Sequence, residues 1–215
     1  MKKILLVLLL LLLTGCMVRV KTNEDYINEA NIEINAPDYL NVDARVTYDL
    51  ADLMLLINNN SEEDIYKLNI EATYLDNKGN IINTMTNRYD NVAAKWKILG
   101  FTILPRNDNG ISYIPDKIKV DIKVEKGNSA KTYNKDIESA YTIDNDEITI
   151  DVINKSKKAL KQVNMVMLYY YEDKMVHYNE IILDDLDNKE VLQEKVNIPD
   201  DLAYDKTEVI VNSAY

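Results

Sequence analysis

Histidine and cysteine each occur only once in this sequence of 215 residues, as His177 and Cys16. Zinc sites built from these two residue types need several of them, so the count excludes such a site. A Ser-His-Asp triad would have to use His177, and no Gly-x-Ser-x-Gly segment accompanies it. Glycine is also scarce, with five residues, and none of them forms a phosphate-binding loop. We therefore expect a protein that is not an enzyme and needs no cofactor.

Basic residues are fewer than acidic ones, with 25 Lys and Arg against 36 Asp and Glu. The formal net charge is −11, and it becomes −13 without residues 1–15, because that segment contains Lys2 and Lys3 and no acid. A surface this acidic repels phosphate backbones, which argues against a nucleic-acid partner. It also provides no polybasic patch for anionic lipid headgroups.

The amino terminus consists of Met1-Lys2-Lys3, an unbroken apolar run over residues 4–13 and the segment Leu13-Thr14-Gly15-Cys16. The run is long enough for a secretory signal and too short for a transmembrane helix. The closing segment resembles the lipobox of bacterial lipoproteins. The resemblance implies that residues 1–15 are a cleaved signal peptide and that Cys16 carries a diacylglyceryl group, typically with palmitate, which anchors the chain in the cell membrane on its extracytoplasmic side. An ordinary signal peptide followed by an incidental cysteine is the alternative.

Residues 16–41 are polar with scattered apolar residues, and Lys21-Thr22-Asn23-Glu24-Asp25 shows neither a helical nor a strand period, which predicts a lipid-anchored tether. Strand-like alternation begins at Val42 and occurs twice along the chain. A shift of 95 residues superimposes like residues in the two copies, among them Leu53 on Ile148, Asn59 on Asn154, Ser61 on Ser156 and Tyr74 on Tyr169. A period of this size indicates a duplicated domain and not a solenoid repeat.

Apolar residues at every second position, separated by Asn- and Gly-containing turns, predict short strands in each copy. The fold class expected is all-β, with two tandem immunoglobulin-like β-sandwiches at 42–125 and 139–215 and a linker at 126–138. The copies resemble the FxLYD-type β-sandwich modules of bacterial surface lipoproteins in their Asn-x-Ser segments, Tyr-ended strands and late Asp-Lys pairs. Ala72-Thr73-Tyr74-Leu75-Asp76 is the matching strand end in the first copy, and the Phe that names the family is absent from both. The resemblance implies surface exposure and carries no catalytic residues.

The second copy differs from the first on one strand face. Where the first copy has Asn69, Glu71 and Thr73, the second has Asn164, Val166 and Leu168, so this strand is apolar on both faces and must be covered twice. The cover could be the first domain, an oligomer mate or an external partner, and exposure without a partner is a further alternative. If a partner covers this face, the face is a binding site, and the predicted binding patch consists of Val166, Leu168, Tyr170 and Tyr178.

Other polar and aromatic residues favour structural roles. His177 is expected to be a half-exposed strand residue, and Trp96, between Lys95 and Lys97, is expected in a core. The acidic turns at 144–147 and 184–188 hold hard oxygen ligands but lack the EF-hand order, so solvated turns are favoured over a calcium site and no metal is predicted.

These observations lead to a functional hypothesis. The chain is expected to be a membrane-anchored extracytoplasmic lipoprotein that acts as a non-catalytic binding or accessory module, with a surface protein as a possible partner. A solute-binding or adhesion lipoprotein that recognises a small molecule or glycan is the first alternative. A surface enzyme and a structural spacer are the others.

Overall fold

The computed structural model describes residues 27–28, 31–47 and 52–215. The predicted signal peptide, Cys16 and the first part of the predicted tether lie outside these residues. The described part of the chain is built from strands and one 3-10 helix (Asn134–Asp136). In chain order the strands are β1 (Ile27–Asn28), β2 (Asn31–Asn35), β3 (Leu40–Thr47), β4 (Asp52–Asn59), β5 (Ile65–Leu75), β6 (Ile81–Val92), β7 (Trp96–Ile103), β8 (Lys117–Glu125), β9 (Ile137–Asp144), β10 (Glu147–Asn154), β11 (Leu160–Tyr171), β12 (Lys174–Leu186), β13 (Val191–Asn197) and β14 (Lys206–Ala214). Among the described residues, no helix is long and apolar enough to cross a membrane.

Two sheets form the first sandwich. One has the strand order β1-β3-β4-β7 and the other β2-β8-β5-β6, and all pairs are antiparallel except β2 with β8. Alternate side chains of β4 and β5 point between the two sheets, as the period of two requires. They form a core with Leu55, Ile57, Leu68 and Ile70 at its centre, each at most 1% exposed.

The second sandwich repeats this topology. Its sheets have the orders β13-β10-β9 and β12-β11-β14, which correspond to β7-β4-β3 and β6-β5-β8 of the first. Its own core contains Ile148, Ile150, Met165 and Tyr169. The predicted all-β class with two tandem immunoglobulin-like sandwiches is therefore confirmed.

The duplication extends to hydrogen bonds. In the first copy, the buried Asn59 amide donates to the carbonyl oxygens of Glu63 and Ala93, both at 3.0 Å, while Asn59 Oδ1 accepts from the Ser61 amide at 3.1 Å. In the second copy, the Asn154 amide donates to the carbonyl oxygens at positions 158 and 186, at 2.8 and 3.0 Å, and its Oδ1 accepts from the amide of residue 156 at 2.9 Å. Each Asn-x-Ser segment thus closes the turn after β4 or β10 and satisfies polar groups that burial would otherwise leave unpaired.

Two boundaries differ from the sequence-based prediction. The tether was predicted to reach residue 41, but β1, β2 and the start of β3 already belong to the first sandwich. The prediction missed β2 because its alternation, Asn31-Ile32-Glu33-Ile34-Asn35, is only five residues long and most of its side chains are exposed. Its backbone pairs in parallel with β8, from Asn31 with Lys117 onward. In the second sandwich, β9 begins at Ile137, two residues before the predicted start, and the linker residues Tyr133 and Asn134 are buried.

Candidate functional site at the junction of the sandwiches

The two sandwiches pack against each other through a second, outer set of apolar side chains. β4 directs Leu53, Leu55 and Ile57 into the first core, and the residues between them face the opposite way. In the second sandwich, β11 likewise directs alternate side chains into the core and the residues between them outward. The outer cluster joins both strands and their neighbours, and it consists of Met54, Leu56, Leu99, Val166, Leu168, Tyr170, Met175, Tyr178 and Ile210, with Phe101 packed against it. We refer to this set as the junction cluster.

The junction cluster contains all four residues of the predicted binding patch. Val166 and Leu168 are 0% exposed, and Tyr170 and Tyr178 are each 7% exposed. The first sandwich covers all four, so the expectation that they form a free binding surface is wrong for this structure. Of the three kinds of cover that the sequence left open, packing within the chain is the one observed. The physical reason is that β4 and β7 present a matching apolar face, which removes both surfaces from water.

Polar bonds fix how the two sandwiches dock. Tyr178 Oη donates to Asp52 Oδ2 at 2.8 Å, and its ring stacks on Phe101 with the centroids 5.6 Å apart. Burial, followed by the hydrogen bond to the Asp52 carboxylate, raises the pKa of Tyr178 well above its ordinary value, so the phenol remains a donor at neutral pH. Asn212 pairs with the backbone of Leu99 in both directions, each at 2.8 Å, as a neighbouring strand would.

Trp96 belongs to this joint and not to a single core as predicted. Its indole is half-buried, packs against both sandwich cores and donates from Nε1 to the carbonyl oxygen of Val211 at 2.7 Å. The neighbouring Lys97 does not simply point to solvent, because its ammonium pairs with Glu208 of the second sandwich. Glu208 also accepts a hydrogen bond from Tyr170 Oη at 3.1 Å. Trp96 and Lys97 therefore connect the two sandwiches through a hydrogen bond and an ion pair.

His177 differs from its prediction as well. It was expected to be half-exposed, but it is 4% exposed on β12 and its ring lies against Tyr169, with centroids 5.5 Å apart. The acidic turns show local bonding of the kind that closes turns: Asn145 donates to Asp144 at 3.0 Å, and the Asp187 amide donates to Glu190 at 2.8 Å. Within the described ranges, no group of three or more His, Cys, Asp or Glu residues could hold a metal ion.

A cleft of about 590 Å³ opens beside the junction cluster. Both sandwiches and the linker line it, so it exists only because the sandwiches are docked. From the first sandwich come β6 and Phe101, from the linker residues 130–132, and from the second sandwich Asn164, Glu180 and the chain around residues 212–215. We refer to it as the junction cleft.

The wall that β6 contributes is held in place by hydrogen bonds. Tyr89 Oη accepts from the Phe101 amide at 3.1 Å and from Asn87 Nδ2 at 3.2 Å, and Asn87 Nδ2 also donates to the carbonyl oxygen of Phe101 at 3.0 Å. Burial raises the pKa of Tyr89 to about 12, so the phenol is neutral at physiological pH. The Tyr89 ring lies over Gly100, where an added Cβ would come within 3.2 Å of it. Glycine at this position makes room for the ring.

Among the described residues that line the cleft, Asn164 is the one with a buried side-chain atom that has no hydrogen-bond partner. Its Oδ1 is buried and accepts no hydrogen bond from the described part of the chain. A buried carbonyl oxygen without a donor is costly, so such atoms are usually paired with water or a ligand. Asn164 faces the same cleft as the exposed carboxylate of Glu180 and the ring of Phe101. To a small polar molecule, the cleft therefore offers a carboxylate and an aromatic surface.

A second groove, of about 470 Å³, opens where Trp96 reaches the second sandwich. Lys95 and Lys97 lie on one side of it, and Ile137 and Ser139 of β9 on the other. Both lysines already have partners, since Lys95 pairs with Glu62 at 2.9 Å and Lys97 with Glu208. Because its cations are engaged, this groove offers less unmet polar chemistry than the junction cleft.

Sequence reasoning identified one half of the joint and missed the other. The apolar face of β11 was found because its counterpart in the first copy is polar. The same comparison, applied in reverse, would have found β4, since Met54 and Leu56 correspond to Thr149 and Asp151. The unbroken apolar run over residues 53–57 is the available signal, because a strand without alternation is buried on both faces.

Comparisons with known proteins add little. No family model matches the chain, and no curated protein matches it. Among solved structures, a match is found to a red sea bream transglutaminase, with 10% sequence identity over 83% of this chain and a TM-score of 0.23. The chain spans about a third of that protein's length, 31%. At this level the similarity carries no argument about function.

Proposed function

We propose that this chain is a lipid-anchored extracytoplasmic lipoprotein that acts as a non-catalytic binding or accessory module at the cell surface. The observation that carries the proposal is Leu13-Thr14-Gly15-Cys16, in which the only cysteine of the chain follows a short apolar run. Two acyl chains on Cys16 would hold the protein to the membrane, because each buried CH₂ contributes about 0.8 kcal/mol. Tethering keeps the two sandwiches close to the bilayer, where their partner would be met.

The anchor is tested in cells of the source organism. Metabolic labelling with an alkyne-bearing palmitate is expected to label the wild-type chain and not Cys16→Ser, and the variant should move from the membrane fraction to the soluble one. Membrane retention of Cys16→Ser without any label would contradict the proposal.

The binding role is supported by the junction cleft, since the apolar patch that the sequence predicts is buried between the sandwiches. Cross-linking and affinity purification of the anchored protein from its own membranes should recover a reproducible partner. Glu180→Lys reverses a charge in the cleft, and Asp200→Lys makes the same change at an exposed position outside it. We expect the first variant to lose the partner and the second to retain it. Equal recovery with both variants would remove the cleft from the proposal, and no partner in any sample would contradict an accessory role.

Recognition of a small molecule is a second candidate function, favoured by the size and the lining of the junction cleft. A ligand that donates a hydrogen bond to the exposed Glu180 carboxylate and places an apolar face on Phe101 would fit the chemistry of the cleft; neutral sugars have both properties. Thermal unfolding with a panel of monosaccharides and disaccharides should reveal a stabilising compound, and Glu180→Ala should abolish its effect. If no sugar raises the unfolding temperature, this second function fails.

A further inference from the structure

The first sandwich has one end at which the tether enters the fold. β1 begins at Ile27 and pairs with Thr47, Thr47 pairs with Asp52, and Asp52 pairs with Ile103. All of these positions therefore lie at the same end of one sheet. The opposite sheet ends here as well, because Tyr74 Oη is 2.7 Å from Thr102 Oγ1 and donates to the carbonyl oxygen of Ile103 at 3.2 Å. We call this the basal end.

The loops of the basal end expose large apolar side chains. Ile81 and Ile82 begin β6 after the turn at 76–80, Ile103 ends β7, and Ile111 lies in the loop that leads to β8. Ile81 is 68% exposed and Ile111 is 61% exposed, the two largest values among the exposed large apolar residues of the described chain. An isoleucine gains no stability from such exposure, since burial of the side chain is what stabilises it.

Charge is balanced in the two segments that carry these isoleucines, although the chain as a whole is strongly acidic. Residues 75–82 contain one acid, Asp76, and one base, Lys78. Residues 103–117 contain two acids and two bases. The buried Asp52 carboxylate accepts the hydrogen bond of Tyr178 and does not face outward. These loops can therefore approach anionic headgroups without the repulsion expected from the rest of the surface.

The short segment between Cys16 and β1 limits the distance of the basal end from the lipid on Cys16. Only ten residues, 17–26, separate Cys16 from Ile27. Eleven Cα steps span at most about 40 Å when fully extended, and a coil of this length has an end-to-end distance of roughly 20 Å. The opposite end of the same sandwich is about 25 Å further away, since β4 has eight residues with a rise of about 3.3 Å each.

We infer that the basal end docks on the lipid bilayer, with Ile81, Ile103 and Ile111 inserted among the headgroups. This inference rests on the proposed lipid anchor at Cys16. The anchor keeps the loops at a high effective concentration near the surface, so a weak apolar contact is sufficient for docking. Docking then fixes the orientation of the first sandwich and, through the junction cluster, that of the second.

Hydrogen exchange with mass spectrometry tests the inference without depending on acylation in the cell. The chain from Cys16 onward is coupled through its single thiol to a maleimide lipid in vesicles of phosphatidylethanolamine and phosphatidylglycerol. Compared with the uncoupled chain, residues 75–82 and 103–117 are expected to exchange several-fold more slowly. Ile111→Asp and Ile81→Asp should each remove this protection, whereas Tyr39→Asp, a change of an exposed ring at the opposite end, should leave it intact.

Equal exchange of the two segments in coupled and uncoupled protein would overturn the docking inference. Protection that survives both Ile→Asp variants would overturn it as well, because the contact would not then depend on the exposed isoleucines. The metabolic labelling described above reports on the anchor separately, so a failed docking test leaves the lipoprotein proposal standing.

Discussion

Leu168→Ala probes the joint between the sandwiches. Leu168 is 0% exposed within the junction cluster, so truncation removes apolar contacts and leaves a cavity that the two stiff sheets can close only in part. Core truncations of this kind cost about 2–5 kcal/mol of the free energy of unfolding. For a chain of this size, each kcal/mol lowers the unfolding temperature by roughly 2–4 °C, so we expect a decrease of about 4–20 °C.

The duplication provides the matched control. Thr73 occupies the position in β5 that corresponds to Leu168 in β11, but it lies on an outer face that no other sheet covers. Thr73→Ala should change stability by about 0.5 kcal/mol or less. Urea unfolding followed by the fluorescence of Trp96 suits this comparison, because the indole bonds across the joint. A cost for Leu168→Ala below about 1 kcal/mol, similar to that of the control, would refute the covered joint.

Three further predictions concern individual hydrogen-bonding groups. Asn154→Ala should lower the free energy of unfolding by about 2–3 kcal/mol in urea titrations, because it leaves the carbonyl oxygens of Lys158 and Leu186 without their donor; a loss below about 0.5 kcal/mol would contradict this role. Asn164→Leu in the absence of ligand should be neutral or stabilising, since it removes an unpaired buried oxygen, and a large loss of stability would show that the oxygen is paired. Burial raises the pKa of Tyr89 from 10.0 to about 12, so its contribution to stability is complete below pH 10 and is lost as the pH rises toward 12; the decline between these values should be smaller in Tyr89→Phe, and an identical decline would contradict the burial of this phenol.

The strand pattern and the duplication could be predicted because they depend on local chemistry. Alternation in β5 and the repeated Asn-x-Ser segments are visible in the sequence, and the structure places both in equivalent sandwiches. β2 is harder to recognise, because it is an edge strand of only five residues that is held by backbone bonds and has mostly exposed side chains.

To predict the junction from the sequence, one would have to know which surfaces meet. The pattern of β11 shows that its outer face must be covered, but the identity of the cover depends on Met54, Leu56 and Leu99, which lie more than 60 residues away in the sequence. The lysines that flank Trp96 predict a place in a single core, and its bond to Val211 could not be predicted because that residue belongs to the other copy. The loss of alternation over residues 53–57 and the comparison of equivalent positions in the two copies show which strand faces are covered, but neither shows which surfaces meet.

Thiol labelling at position 168 tests most directly whether the first sandwich covers the apolar face of β11. In a Cys16→Ser background, the cysteine of Leu168→Cys should react with a maleimide reagent only as fast as the folded chain opens. That of Thr73→Cys, at a half-buried position that no second sheet covers, should react many times faster. Comparable rapid labelling at both positions in the folded protein would show that the face is open, and the joint on which this account rests would not exist.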